Sequence, residues 1–168
     1  MLFESKRLKF RLFSKEDKID LIKILNDEVV TKWAHLPFPY TEKHAEWWIN
    51  TGSKKKYHFA LEEKKKEQLL GSIKLTNTGE LGCWIGKEYW NQGFATEAVE
   101  KIKEFGFKEL KLERIWAATH KDNLAPVKVL KITGFTRVED KPYYVEGIGD
   151  TKVRPHFELL NRALNHPS

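Results

Sequence analysis

The feature that most constrains this chain is a strand running into a helix through a single glycine. Leu81-Gly82-Cys83-Trp84-Ile85 is a nearly continuous apolar run, as expected for a strand in the middle of a sheet. From Gly93 to Phe107, Ala95, Ala98, Val99, Ile102 and Phe105-Gly106-Phe107 recur at helical spacing. Between them lies Trp90-Asn91-Gln92-Gly93-Phe94-Ala95-Thr96. A helix start leaves backbone amides without intrahelical acceptors, at the positive end of the helix dipole. Glycine carries no Cβ, so an anion can come close to that backbone. The amides of Gln92, Gly93, Phe94, Ala95 and Thr96 are therefore candidates to hold a diphosphate. On the residues alone an ordinary tight turn stays open. The segment is no Walker loop, because the Gly-Lys-Ser/Thr ending is missing, and its glycines do not fit the dinucleotide fingerprint.

The rest of the chain supplies layers for that unit. Leu8, Phe10 and Leu12 alternate with Lys9 and Arg11 as a half-buried strand. Ser14 and Asp17 have capping-box spacing, ahead of a helix carrying Ile19, Ile22 and Leu25 and ending near Asn26. Thr41 reads as the N-cap of a second helix with Ala45, Trp48 and Ile49. Residues 33–40 between them contain Pro37 and Pro39 and are expected to be irregular. Strands are expected at Tyr57–Leu61 and Leu70–Leu75, joined as a hairpin, with a turn at Thr76–Gly79. After the helix come a strand at 114–119, a helix from Ala125 to Ile132 closed by Gly134, and late strands at 135–138 and 153–159. The expected fold is α/β (α+β): a mixed, mostly antiparallel central sheet with helices on both faces. No linker or repeat interrupts 1–168, so one domain is expected.

The formal charge is +6, from 30 basic and 24 acidic residues, which favours an anionic partner. Nucleic acid and a phosphorylated cofactor both qualify. The clusters Lys54–Lys56 and Lys64–Lys66 lack the interleaved aromatics of a stacking groove, so they read as solvated and no direct nucleic-acid contact is expected. No run is long enough to cross a bilayer, and Met1–Phe10 lacks the pattern of a secretory signal. Cys83 is the only cysteine, which excludes an internal disulfide and fits a reducing, cytoplasmic setting. No metal is expected.

Glu88-Tyr89-Trp90-Asn91-Gln92-Gly93-Phe94-Ala95-Thr96-Glu97-Ala98, preceded by Leu81–Gly86, resembles the acetyl-CoA motif of the GCN5-related N-acetyltransferases. It is similar in particular to the RimJ/RimL-like branch of ribosomal-protein N-terminal acetyltransferases. Asn123-Leu124-Ala125-Pro126, Val129-Leu130-Lys131 and Gly134-Phe135 agree as a second block. The resemblance implies a sheet splayed at an acetyl-CoA site. Gln92–Thr96 would hold the diphosphate, with Asn91 shaping the turn. Cys83, Trp84 and Ile85 would line the pantetheine arm, the Ile85 amide would meet the thioester carbonyl, and Asn123 would contact the cofactor or the second splayed edge. Three positions depart from the pattern. Trp90 stands where the wider family has Gln or Arg, Asn91 where the branch often has glycine, and Pro126 where serine is common and a helix N1 proline is expected.

Acetyl transfer needs a neutral amine, a proton acceptor and an oriented thioester. Glu80, at the start of the carbonyl-bearing strand, is the first candidate base. His120, Tyr144 and His156 are further options. A tyrosine that donates to the departing thiolate in many relatives is matched here by Leu130. Cys83 has no neighbouring histidine and reads as a small buried core residue, not a nucleophile. Trp33, His35, Phe38 and Tyr40, with Trp47 or Trp48 and Tyr144, could form the acceptor wall, although packing is expected for Trp48. The leading expectation is acetylation of a protein or peptide N-terminal α-amine, ribosomal proteins included, by an enzyme that could be a homodimer. Alternatives are a small amine (polyamine, antibiotic or amino-acid derivative), a silent acyl-CoA-binding protein, or an RNA-binding scaffold.

Overall fold

The computed structural model describes residues 2–55 and 57–164. Its strands and helices, in chain order, are β1 (Phe3–Glu4), β2 (Leu8–Arg11), α1 (Lys18–Leu25), α2 (Glu28–Ala34), α3 (Glu42–Asn50), β3 (His58–Glu63), β4 (Gln68–Leu75) and β5 (Leu81–Ile85). There follow α4 (Phe94–Lys108), β6 (Arg114–Ala118), α5 (Leu124–Ile132), β7 (Thr136–Arg137), β8 (Lys141–Val145), β9 (Asp150–Arg154) and β10 (His156–Leu160). Strands β1-β2-β3-β4-β5 form one sheet, β6-β10-β7 a second, and β8-β9 a hairpin of their own. Every ladder is antiparallel, and the sole parallel contact among the described residues is a single bridge, Glu80 to Trp116.

Two apolar layers cover the sheet. On one face Leu8, Phe10, Phe59, Leu75 and Ile85 pack with Ala98, Val99 and Ile102 of α4 and Leu130 of α5. On the other, Ala60 and Leu69 meet Leu21 and Leu25 of α1, Val30 of α2 and Ala45 and Ile49 of α3. This is the expected three-layer arrangement of helices on both sides of a sheet. The Ser14/Asp17 box forms, with Ser14 N donating to Asp17 Oδ2 at 2.8 Å. Asp17 also takes Arg11 in a bidentate pair at 2.9 and 2.7 Å, so a buried carboxylate caps the helix entry and is itself neutralised.

Four expectations are corrected. Ile19 is 76% exposed, and α1 turns Leu21, Ile24 and Leu25 inward, because the 21/24/25 stripe, not 19/22/25, faces the sheet. Residues 33–34 are helical: α2 is N-capped by Asp27, whose carboxylate accepts from Val29 N at 2.9 Å, and C-capped by His35 in a left-handed conformation. Pro126 is the third residue of α5, not the first; its missing N–H still falls in the turn where none is needed. The late strand at 153–159 is broken at Pro155 into β9 and β10, and β8 pairs with β9 in a hairpin that the periodicity did not reveal. No helix among the described residues is long and apolar enough to cross a membrane. Lys56 lies outside the described residues.

Candidate active site

The site begins where β5 and β6 part. Thr76 N donates to Glu80 O at 3.0 Å and Gly86 N to Leu70 O at 2.8 Å, while the register pairs Ile73 with Cys83 and Gly71 with Ile85. Hydrogen-bonded pairs alternate along an antiparallel ladder, so Gly82 and Trp84 bond to β4. The backbone N–H and C=O groups of Leu81, Cys83 and Ile85 therefore point the other way, towards β6. On the opposing side Thr119 N donates to Pro155 O at 3.0 Å and Asn161 N to Glu113 O at 2.8 Å. The same alternation turns the backbone of Trp116 and Ala118 towards β5. The two edges meet once, where Trp116 N donates to Gly79 O at 2.9 Å beside the Glu80–Trp116 bridge. Beyond that bridge no ladder joins them among the described residues. The result is a V, closed at Glu80 and open at Ile85, whose two walls share no ladder beyond the bridge among the described residues.

Exposure marks the same gap. Leu81 and Ile85 are buried, yet Cys83 between them on the same strand face is exposed. The expectation of a core cysteine is thus corrected: its side chain opens onto the gap between the strands. Among the described residues no histidine or cation hydrogen-bonds its sulfur to lower the thiol pKa, so nothing activates Cys83 as a nucleophile. At the end of β6, Thr119 Oγ1 is buried without a hydrogen-bond partner.

At the open end stands the turn into α4. Asn91 and Gly93 both adopt left-handed backbone, with φ of 58° and 78°. Asparagine is one of the few non-glycine residues at ease there, so Asn91 holds the turn without strain. Gly93 is the N-cap of α4 and no side chain caps the helix, so the amides of Phe94, Ala95 and Thr96 are left for a ligand. Arg7, which sequence reasoning missed, sets this turn. Its Nη1 donates to Gln92 O at 2.9 Å, its Nε to Glu97 Oε2 at 2.6 Å, and its guanidinium lies 4.1 Å over the Phe94 ring. A trans peptide places C=O and N–H on opposite sides, so holding Gln92 O directs Gly93 N–H away from Arg7. Burial alone would raise the Glu97 pKa, but hydrogen bonds from Arg7 N, Ser5 Oγ and the Arg7 side chain lower it. Trp90 ties turn to strand, its Nε1 donating to Ile85 O at 2.7 Å. Asn123 caps α5 by position, and its side chain makes no capping bond.

At the closed end lies a cavity of about 510 Å³, lined among others by His35, Lys74, Glu80, Trp116, Tyr143 and His156. Lys74 Nζ and Tyr143 Oη donate to Glu80, at 3.2 and 2.5 Å, and both land on Oε1. Glu80 Oε2 carries no bond from any described residue. Burial first, and then the bond to Glu80, raise the Tyr143 pKa well above the usual phenol range, so Tyr143 stays a donor. The His156 ring stacks on Trp116 with centroids 5.5 Å apart, and its Nδ1 lies 2.9 Å from Arg154 O. A carbonyl only accepts, so Nδ1 carries the proton.

The expected acceptor residues divide. His35 and Tyr144 line the cavity, and burial lowers the His35 pKa with help from Arg154 and His120. Tyr40 does not line it: the residue is 4% exposed in the second core layer, where burial pushes its phenol up to about 12. Phe38 is exposed outside the cavity lining, and Trp33 packs its ring 5.1 Å from His120. His120 Nδ1 accepts from Asp122 N at 3.1 Å. Trp48 packs beside Phe13 and His58, as expected, and Trp47 is exposed. Leu130 is core. Glu80 and Ile85 stand at opposite ends of β5, roughly 16 Å apart at ~3.3 Å per residue, so one reacting carbon cannot touch both. Tyr143 was missed by a single position: a one-residue shift along a strand changes the face, and Tyr143, not Tyr144, meets Glu80.

The residues present fit acetyl-CoA. Unpaired amides follow a left-handed glycine at one end, two strands joined at the Glu80–Trp116 bridge flank a gap, and an orphaned hydroxyl sits at its rim. The acetyltransferase (GNAT) domain family matches residues 7–136. The chain is 30% identical over 145 residues to an uncharacterized N-acetyltransferase, YnaD, of Bacillus subtilis (strain 168), covering 82% of this chain and 84% of that one. The fold superposes on a GNAT-family acetyltransferase of Bacillus anthracis with a TM-score of 0.82, at 23% identity and covering 95% and 98% of the two chains. It superposes on a Vibrio cholerae spermidine N-acetyltransferase in complex with CoA and spermine with a TM-score of 0.73, at 16% identity and covering 96% and 100%. A splayed sheet, a bare helix start and these likenesses converge: the chain belongs to the GNAT acetyltransferase family and is an acetyl-CoA-dependent acetyltransferase.

Proposed function

We propose that the acceptor is a primary amine, in particular a peptide or protein N-terminal α-amine, attacked directly with Glu80 as the base. The observation that carries this is the half-used Glu80 carboxylate at the closed end of the V. Oε1 is held by Lys74 and Tyr143, and Oε2 is left to take a proton through water. An α-amine suits such a base, since its unperturbed pKa is closer to neutrality than that of a lysine. Bound acetyl-CoA supplies an electrophilic thioester carbon and a thiol leaving group. The Phe94–Thr96 amides and Gly93 N–H hold its diphosphate, and Arg7 keeps the turn in place. The gap-facing Cys83 N–H, nearer to Glu80 than the Ile85 amide, would donate to the thioester carbonyl and polarise it. The amine nitrogen bonds to the acyl carbon as the carbon–sulfur bond breaks. CoA would depart as its thiolate with the bonding pair, and Glu80 Oε2 would take the amine proton.

We extend this reading to a RimJ/RimL-like enzyme acting in the cytoplasm, on ribosomal or other protein N-termini, with a homodimer as its assembly. A Vibrio cholerae structural neighbour described as a putative ribosomal-protein-serine acetyltransferase supports that direction, and the net charge of +6 disfavours a polyamine. Purified protein with acetyl-CoA and a panel of peptides, polyamines and aminoglycosides tests it, with thiol release and product mass as readouts. Peptide N-terminal acetylation is expected, and acetylation confined to polyamines or aminoglycosides would overturn the reading. Glu80→Gln should lower kcat by about 10²–10⁴-fold. An undiminished rate across pH removes Glu80 from the mechanism.

A further inference from the structure

Glu80, Trp116 and His156 stand on one face of three neighbouring strands, β5, β6 and β10. Glu80 bridges Trp116, Trp116 pairs with Glu158, and His156 lies two residues from Glu158, so the three side chains share a side. The His156 ring is held twice. It stacks on Trp116 at an interplanar angle of 15°, and its Nδ1 donates to Arg154 O at 2.9 Å. A neutral imidazole with its proton on Nδ1 carries the lone pair on Nε2. That atom has no hydrogen-bond partner among the described residues, and protein does not seal it off. His156 is 6% exposed and lines the closed-end cavity, so the little surface it keeps opens there. The Tyr143 ring packs T-shaped against it with centroids 6.3 Å apart, while the Tyr143 hydroxyl holds Glu80 Oε1. Two strand spacings of ~4.8 Å and two residues of ~3.3 Å put the backbones of Glu80 and His156 roughly 12 Å apart. The two side chains and one small group between them fill that span. Two acceptors without a donor, Glu80 Oε2 and His156 Nε2, thus belong to side chains that line one cavity on either side of Trp116.

We propose that His156 Nε2 accepts one N–H of the incoming amine, so that the site takes primary amines and discriminates against N-alkylated ones. The inference rests on the acceptor reading above and deepens it. A neutral primary amine has two N–H groups and one lone pair. With one N–H on Nε2 and the other directed to Glu80 Oε2, straight or through a water, the lone pair is left to point at the acyl carbon. The nitrogen–carbon bond forms, the carbon–sulfur bond breaks with its pair on sulfur, and the proton facing Glu80 passes to it. The N–H on His156 stays in the product amide. A secondary amine has a single N–H, so it either leaves a desolvated acceptor without a donor or turns its lone pair off line.

The test compares peptides that begin with glycine and with N-methylglycine. Wild type should favour the glycyl peptide in kcat/KM by about 5- to 150-fold, the range for one desolvated acceptor left without its donor. His156→Leu removes the acceptor: the glycyl peptide should slow by about that factor and the N-methyl peptide far less, so the preference shrinks to what the methyl's bulk imposes. His156→Gln puts a carbonyl oxygen where Nε2 was and should keep most of the preference. Both variants lose the bond from Nδ1 to Arg154 O, so a merely structural effect of that loss would strike them alike. Calorimetric titration should give the wild-type Kd for CoA in both, because the Phe94–Thr96 amides stand at the other end of β5. If wild type shows no primary-amine preference, if His156→Leu slows both peptides equally, or if His156→Gln discriminates no better than His156→Leu, the proposal is wrong and the N-terminal reading stands. If only polyamines or aminoglycosides turn over, that reading fails, and the same comparison on those amines and their N-methyl forms decides the role of His156.

Discussion

Replacing Gly93 with alanine probes the cofactor turn. Gly93 holds φ at 78°, where an L-residue with a Cβ is strained by about 1–2 kcal/mol. Steric conflict adds little, since the nearest atom to a new Cβ is Arg7 Nη2, the end of a flexible side chain, at 3.4 Å. The strain can appear in two places. If the turn keeps its shape, folding stability falls by about 1–2 kcal/mol. If the turn relaxes to negative φ, the Phe94–Thr96 amides swing off target, and CoA must restore them on binding. Kd then rises by about 5- to 30-fold. The two losses, from urea unfolding and from calorimetric CoA titration, should sum to about 1–2 kcal/mol. Gly93→Asn should lose no more than about half as much, because asparagine tolerates this region, as Asn91 next door does at φ 58°. An alanine variant matching wild type in both stability and Kd would refute the argument that a left-handed residue sets the anion site.

Two further outcomes follow from other parts of the molecule. Burial pushes the His58 pKa from its ordinary 6.5 down to about 4, with Lys74 and Lys55 adding repulsion. The unfolded chain therefore takes up this proton first: the stability is complete above pH 6.5 and is lost as pH falls towards 4, by up to about 3 kcal/mol. His58→Gln should flatten that loss relative to wild type in urea unfolding at pH 7, 5.5 and 4.5, and parallel curves would exclude His58 as the source. At the acceptor end, a Cβ on Gly147 would stand 2.1 Å from His35 O, a backbone atom that cannot step aside. Gly147→Ala should cost about 1–3 kcal/mol, raise the acceptor KM and leave CoA Kd unchanged; a weakened CoA Kd with normal acceptor KM would contradict the separation of the two ends.

Much of the cofactor side was legible because it depends on local chemistry. A glycine between an apolar strand and a helical period is a statement about neighbouring residues, and so are the Ser14/Asp17 box and the Thr41 cap, all of which form. Strand and helix periods are local too, which is why the central strands and α1, α3, α4 and α5 were readable, whereas α2 and β8 were not. The errors arose where local signals were ambiguous or silent. A stripe at 19/22/25 and one at 21/24/25 fit the same helix, and only the sheet beneath it selects the second. Tyr143 and Tyr144 are adjacent, and only the β8–β9 register decides which of them reaches Glu80.

The layer architecture and the bare glycine start of α4 follow from the sequence, because neighbouring residues create both. Only the tertiary structure decided the rest. It brought Arg7 to Gln92 and Glu97 across more than 80 residues and exposed Cys83 by parting two strands. Charge pairing and strand divergence are set by which distant segments meet, and no spacing along the chain encodes that meeting.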